Sequence, residues 1–269
     1  MKILITGKEG QVARCLADKA TDHPALDLVF AARSGTEVVL DLAEPETIRA
    51  AVRGVRPDVI LNAAAYTGVD QAEDEPELAM AINGVAPGIL AQEAAALGAR
   101  IIQISTDYVF DGEKDSPYLP SDPVNPIGVY GKTKLAGEEA VRAATPDFLI
   151  VRTAWVYSSY GENFYKTMLR LAETRDKISV VDDQIGNPTS AYDIADGLLA
   201  ICADWAAGGR KNLGETIHLV GPKAMTWCSF ARQIFAESAA TGGPSCQVKA
   251  ITTADYPTKA KRPRNSRLL

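Results

Sequence analysis

Near its start the chain carries an apolar run, Lys2-Ile3-Leu4-Ile5-Thr6, that meets Gly7-Lys8-Glu9-Gly10-Gln11-Val12-Ala13 and passes directly into a helical pattern through Lys19. A buried strand, a glycine turn and a helix in immediate succession leave few folding options. A helix packed back onto the strand returns the chain to begin a neighbouring parallel strand, and that crossover is right-handed. The same alternation recurs: the pattern predicts strands at 26–31, 37–40, 58–62, 100–105, 148–152 and 178–181, with helical stretches at 75–97 and from Val129. Within 75–97, Asn83 is a polar interruption, and a kink is expected near Gly84 and Pro87.

Such alternation over the first 150 residues predicts a Rossmann-type α/β fold, a doubly wound parallel sheet covered on both faces. The pattern after Trp155 is more irregular. It suggests a smaller C-terminal substrate-binding cap formed by about 154–187 and 221–269, with 1–153 and about 188–220 as the dinucleotide-binding domain.

Composition excludes several classes. With 46% hydrophobic and 23% charged residues the chain can bury a core. It has no run of about 18 apolar residues, the length of a membrane span, and its N-terminus lacks the pattern of an export signal. A cytoplasmic location is expected. A net charge of −6 argues against general nucleic-acid binding. Cys15, Cys202, Cys228 and Cys246 form no close pair, and there are only two histidines, so neither a zinc site nor a His-based hydrolase is indicated.

Several positions suit a nucleotide and a reacting carbonyl. Gly7 and Gly10 allow backbone to approach a pyrophosphate, and the helix that follows, beginning Gln11-Val12, offers unpaired N–H groups. Some glycine turns, however, bind nothing. After the second strand an NAD-binding fold normally places an acid, whereas here Arg33 and Ser34 suit a 2′-phosphate or form a solvated surface. Asp41, before Leu42, reaches either an adenine or the helix it caps. The small side chains of Ala63, Ala64 and Ala65, followed by Thr67, leave room at a strand end, and the strand at 100–105 delivers Thr106, Asp107 and Tyr108 to the same rim. Tyr130 and Lys134 lie four apart on one helix face. They form either an exposed pair or a proton-transfer pair in which the ammonium lowers the phenol's pKa.

Taken together, these features resemble the extended short-chain dehydrogenase/reductases, and more narrowly the dTDP-4-dehydrorhamnose reductases. The resemblance rests on Gly7-Lys8-Glu9-Gly10-Gln11-Val12, Asn62-Ala63-Ala64-Ala65-Tyr66-Thr67, Ser105-Thr106-Asp107-Tyr108-Val109-Phe110-Asp111-Gly112 and Tyr130-Gly131-Lys132-Thr133-Lys134-Leu135-Ala136-Gly137-Glu138. It continues through Arg152-Thr153-Ala154-Trp155-Val156-Tyr157, Asp183-Gln184-Ile185-Gly186-Asn187-Pro188-Thr189 and Arg262-Pro263-Arg264-Asn265-Ser266-Arg267-Leu268. The resemblance implies NADPH-dependent reduction of a dTDP-linked 4-keto-deoxyhexose, with NADH as the alternative cofactor. Tyr130 would donate the proton, Lys134 would hold the phenolate and the nicotinamide ribose, and Thr106 would orient the keto oxygen.

By the same resemblance Asp107, Tyr108 and Trp155 line the sugar pocket, although tryptophan is also a core residue. Arg262 and Arg267, within the basic run that also holds Lys259, Lys261 and Arg264, would meet the diphosphate or form a solvated tail. The chain departs from the pattern at Ala13, where a third glycine is common. Cys15 and Tyr192 stand where some relatives place acids for an intersubunit magnesium ion, so no metal is expected and a homodimer stays open. A further helix is expected where the chain stops at Leu269. Two other readings share the fold: a nucleotide-sugar epimerase or dehydratase, and a regulatory subunit resembling that of methionine adenosyltransferase.

Overall fold

The computed structural model describes all 269 residues. Its strands are β1 (Lys2–Thr6), β2 (Asp27–Ala32), β3 (Val38–Val39), β4 (Val59–Asn62), β5 (Arg100–Thr106), β6 (Phe148–Thr153), β7 (Val156–Tyr157), β8 (Lys177–Val181), β9 (Ile185–Gly186), β10 (Thr189–Ser190), β11 (Glu215–His218), β12 (Met225–Thr226) and β13 (Gln247–Ile251). The helices are α1 (Gln11–Lys19), α2 (Pro45–Val55), α3 (Pro76–Met80), α4 (Ala86–Leu97), α5 (Val129–Ala144), α6 (Phe164–Ala172), α7 (Ala191–Ala206) and α8 (Trp227–Ala240).

Seven strands form one sheet in the order β11-β6-β5-β4-β1-β2-β3, with every pair parallel. The winding reverses between β1 and β4, which opens a crevice beyond the carboxyl ends of those strands. Successive side chains of β1 face opposite ways. Ile3 and Ile5 join the core under α1 and α7, whereas Leu4 joins the core under α2 and α4. This burial on both faces explains why the strands read as continuous apolar runs.

A second, smaller core of eight buried residues, including Met168, Ile178, Phe230 and Phe235, holds α6, α8 and β8 together beyond the carboxyl ends of the sheet strands. Here the strands pair only two by two: β7 with β10, β9 with β12 and β8 with β13. The C-terminal segment then returns to the sheet side, with Leu268 bridging Tyr118 and Asn265 bridging Ile185.

The 75–97 stretch breaks near the polar interruption and kink that the sequence suggests, whereas several strands lie outside the expected set. The helix expected over 75–97 is divided into α3, a π-helical turn at Ala81–Val85 and α4. The cause is Asn83, whose side chain leaves the helix to bond Tyr66, accepting from its N–H at 2.8 Å and donating to its carbonyl at 3.0 Å. Besides the cap strands β7, β9, β10, β12 and β13, the edge strand β11 was not among those expected. Its Glu-Thr-Ile-His sequence is half exposed and carries little apolar signal.

Candidate active site

The crevice at the β1/β4 switch is lined first by the glycine turn. Gly7 adopts φ +81°, and a Cβ there would come within 2.8 Å of the Ala64 Cβ, so glycine fits both the backbone angle and the close packing. Gly10 precedes α1, and no side chain caps that helix, which leaves its first N–H groups pointing outward. This cradle fits a pyrophosphate. Arg33 and Ser34 are exposed just past β2, and Lys8 borders the same loop through a 2.8 Å bond to the Gly35 carbonyl. Asp41 accepts from Ala43 N–H at 2.9 Å, so its side chain serves the turn before α2, and Leu42 is buried. The adenine role expected of Asp41 therefore has a local competitor.

Beneath the crevice runs a buried row of polar side chains. Thr6 donates to Asn62 Oδ1 at 2.6 Å, Asn62 donates to Gln103 Oε1 at 2.8 Å, and Gln103 donates to the Ile104 carbonyl at 2.8 Å. Lys134 Nζ donates to that same carbonyl at 2.7 Å. The row thus ties β1, β4 and β5 to α5. Thr6 also accepts from Ala64 N–H at 3.0 Å, which fixes the start of the Ala63, Ala64, Ala65 segment, while Thr67 lies exposed beyond it.

Helix α5 is set against the end of β5 by Gly131, where any Cβ would collide with the Tyr108 carbonyl. That contact brings Tyr130 to the crevice, its ring edge-on to Tyr108 with centroids 5.6 Å apart. Thr106, the last residue of β5, accepts from Tyr108 N–H at 3.2 Å and donates to Asp107 Oδ1 at 3.0 Å. Glu73 accepts from Val129 N–H at 2.9 Å and so fastens the first turn of α5.

Burial governs the electrostatics. It pushes the Tyr130 phenol up to about 12, against a lowering by the Thr106 hydroxyl. Burial outweighs the pKa lowering expected from Lys134, whose Nζ bonds the Ile104 carbonyl. Burial brings Lys134 down to about 8, opposed by the negative charge of Glu138 one helical turn on. Glu138 is itself fully buried and gripped by Arg152 through bonds of 2.9 and 2.8 Å, with Ser105 donating at 2.6 Å. Asp107 is buried and raised to about 6, and its Oδ2 has no hydrogen-bond partner. That free oxygen is a ready acceptor for a ligand hydroxyl.

On the cap side, Trp155 takes φ +48° and stacks on Trp227, with ring centroids 3.4 Å apart and planes within 5°. Trp227, which local sequence gave no reason to choose, thereby becomes part of the same aromatic wall. The basic run is less available than expected. Arg262 forms a two-pronged ion pair with Asp70 at 3.0 and 2.7 Å, and Lys259 pairs with Asp74. Arg267 is held by Asn265 Oδ1 at 2.8 Å and by the Asp115 carbonyl. Neither Arg262 nor Arg267 is a free phosphate ligand here; Lys261 and Arg264 are the exposed bases without a carboxylate partner. Asp70 and Glu73 escaped sequence reading because their partners lie 192 and 56 residues away, and the partner of Asn83, 17 residues away, was equally hidden.

No group of three His, Cys, Asp or Glu side chains converges to hold a metal. Cys15 is buried, and Tyr192 donates its hydroxyl to Asp18 at 2.7 Å. No helix is long and apolar enough to cross a membrane.

Comparison with known proteins agrees with this architecture. The family model described as RmlD substrate binding domain matches residues 1–269. A dTDP-4-dehydrorhamnose reductase of Sinorhizobium fredii is 44% identical over 268 residues, covering 100% of this chain and 88% of the relative. The crystal structure of a dTDP-4-dehydrorhamnose reductase from Clostridium acetobutylicum superposes with a TM-score of 0.88 at 40% identity, covering 100% of this chain and 90% of that one. The Bacillus anthracis dTDP-4-dehydrorhamnose reductase, solved in complex with NADP, gives 0.88 at 34% identity with the same coverage. With a full-length family match, relatives above 40% identity and the tyrosine, lysine and threonine gathered at one strand-end crevice, this chain belongs to the dTDP-4-dehydrorhamnose reductase family.

Proposed function

We propose that this chain reduces the 4-keto group of dTDP-4-dehydro-β-L-rhamnose to give dTDP-β-L-rhamnose, using NADPH. The observation that carries the reading is the convergence of Tyr130, Thr106 and Lys134 beside the uncapped start of α1. The glycine cradle and the α1 N-terminus would hold the pyrophosphate, and Arg33 and Ser34, with Lys8 nearby, the 2′-phosphate. When bound, the nicotinamide supplies the hydride that reduces the keto carbon.

The chain's own groups do the rest. Thr106 donates to the keto oxygen and holds it within reach of the Tyr130 hydroxyl. As negative charge grows on that oxygen, the phenol passes its proton across, so an alkoxide is never released. A phenol near 12 keeps its proton at neutral pH, which suits the reducing direction. Lys134, still charged below about 8, stabilises the phenolate and keeps two N–H donors for the ribose hydroxyls. Asp107 Oδ2 accepts a sugar hydroxyl, and the Trp155/Trp227 stack, with Tyr108, packs the apolar face of the deoxyhexose. The sheet domain binds cofactor and the cap binds sugar. Arg262 acts chiefly as a tie between them, with Lys261 and Arg264 nearest in character to phosphate ligands.

The test is NADPH oxidation with dTDP-4-dehydro-β-L-rhamnose generated in place. Tyr130→Phe should lower kcat by about 10²- to 10⁴-fold, the usual contribution of a general acid, with KM nearly unchanged. Wild-type kcat/KM should fall as pH rises through about 8, where free Lys134 loses its charge. An unchanged rate in the phenylalanine variant would remove Tyr130 from the proton-donor role. Tight NADPH binding with no turnover of this sugar would point to a different keto-sugar.

A further inference from the structure

The segment that leads from the sheet into the cap, residues 158–163, is laid along one face of α1. Positions 11, 14 and 18 of that helix share a face, and each is engaged. Gln11 Oε1 accepts from Ser158 Oγ at 2.9 Å and from Asn163 Nδ2 at 2.8 Å. The Arg14 guanidinium lies 4.6 Å over the Tyr160 ring, and Asp18 accepts the Tyr160 hydroxyl at 2.8 Å. Gly161, at φ +60°, makes the turn between them, and a Cβ there would come 3.2 Å from Gln11 Cγ.

Asn163 does two things at once. Its Oδ1 accepts from Lys166 N–H at 3.0 Å and so caps α6, the first cap helix, while its amide reaches Gln11, the first residue of α1. The starts of the two helices are spliced through one side chain. The next residue, Phe164, packs on Trp227 at 4.5 Å between ring centroids, and Trp227 stacks on Trp155. A continuous set of contacts therefore runs from the pyrophosphate cradle to the aromatic wall of the cap.

We infer that Asn163 is a positioning residue that couples the two ligands: the Gln11–Asn163 splice makes occupation of the α1 N-terminus set the Trp155/Trp227 wall, so that NADPH and the sugar nucleotide tighten each other's binding. The inference rests on the proposed reading of the glycine turn as the cofactor cradle and of the tryptophan pair as the sugar wall. Coupling of this kind is reciprocal, so it can be read from either ligand.

The test is calorimetric titration of the full chain with NADPH, alone and with saturating dTDP-β-L-rhamnose, and the converse pair, for the wild type, Asn163→Asp and Asn163→Ala. Aspartate keeps the acceptor that caps α6 but has no N–H for Gln11 or for the Ser158 and Tyr160 carbonyls, which the Asn163 amide also meets at 2.9 and 3.2 Å; alanine loses the cap as well. In the wild type each ligand should lower the Kd of the other about fivefold or more, the lower end of common coupling strengths. In Asn163→Asp that factor should fall to about one, with the affinity for NADPH alone kept within about twofold. A wild-type factor of one, a factor unchanged in Asn163→Asp, or one lost only in Asn163→Ala would each overturn the coupling. Failure of the wild type to bind either ligand would instead overturn the functional reading on which it rests.

Discussion

The sheet and the cap are built on different physical terms. In the sheet, β1, β4, β5 and β6 carry fully buried aliphatic side chains, sealed by helices on both faces. The cap rests on a core no more than half as large as either sheet core, with aromatic contacts such as Tyr157 on Phe230 and Phe164 on Trp227, and its strands have at most one partner each. Close-packed aliphatic layers resist local rearrangement, whereas a small aromatic core with unfinished sheets yields more readily. The site lies where a stiff platform meets an adjustable cover. In the proposed mechanism the groups that move protons belong to the platform, while the cover supplies shape.

This contrast can be broken most severely from the platform side. Leu61→Ala, on central strand β4, removes a side chain with 1% exposure and should cost about 2–5 kcal/mol of global stability. Chemical denaturation should show one cooperative transition at lower midpoint, with both ligands lost together.

The seam should respond in a sign-dependent way. Asp107 is raised to about 6 from an unfolded value of 3.8, so between those pH values the folded chain holds more protons, and stability falls as pH rises through that window. Asp107→Asn should therefore raise stability at pH 7 by up to about 3 kcal/mol for a shift near two pKa units, read as a higher melting temperature, and leave it almost unchanged near pH 3. The same variant should bind the sugar nucleotide more weakly. A lower melting temperature at pH 7 would mean that the buried carboxylate is better satisfied than its unpartnered oxygen suggests.

The cover should give the smallest and most local effect. Trp227→Leu removes a stacked aromatic pair, a contact worth about 0.5–1.5 kcal/mol beyond its area. The KM for the sugar nucleotide should rise by up to about tenfold while the Kd for NADPH alone stays put. Equal weakening of both ligands would mean that the two regions are less separate than their cores imply.

The difference between the regions also explains what could be read in the sequence. Strands buried on two faces announce themselves by apolar runs, and the turn by Gly7 and Gly10, so the sheet and its crevice were legible. Tyr130, Lys134 and Thr106 were legible because each sits at a fixed offset from such an element. The cap was visible only as irregularity, since two-residue strands carry no periodicity. The neutralisation of Arg262 by Asp70 was hidden because 192 residues separate the partners. The Tyr130 shift runs opposite to the expected direction for a physical reason: spacing brings Lys134 onto the same face but does not say that the phenol will be buried, and burial raises its pKa.

The placement of α7 carries a consequence for how the molecule is made. One face of the sheet is finished only when residues 191–206 pack against it, yet the last of its first six strands ends at Thr153. At ribosomal speeds of about 5–20 residues per second, that apolar face waits roughly 3–10 s for its cover while the first half of the cap emerges. During this interval the nascent chain presents a sticky, half-clothed layer. The order of its elements thus leaves that face open to aggregation until α7 arrives.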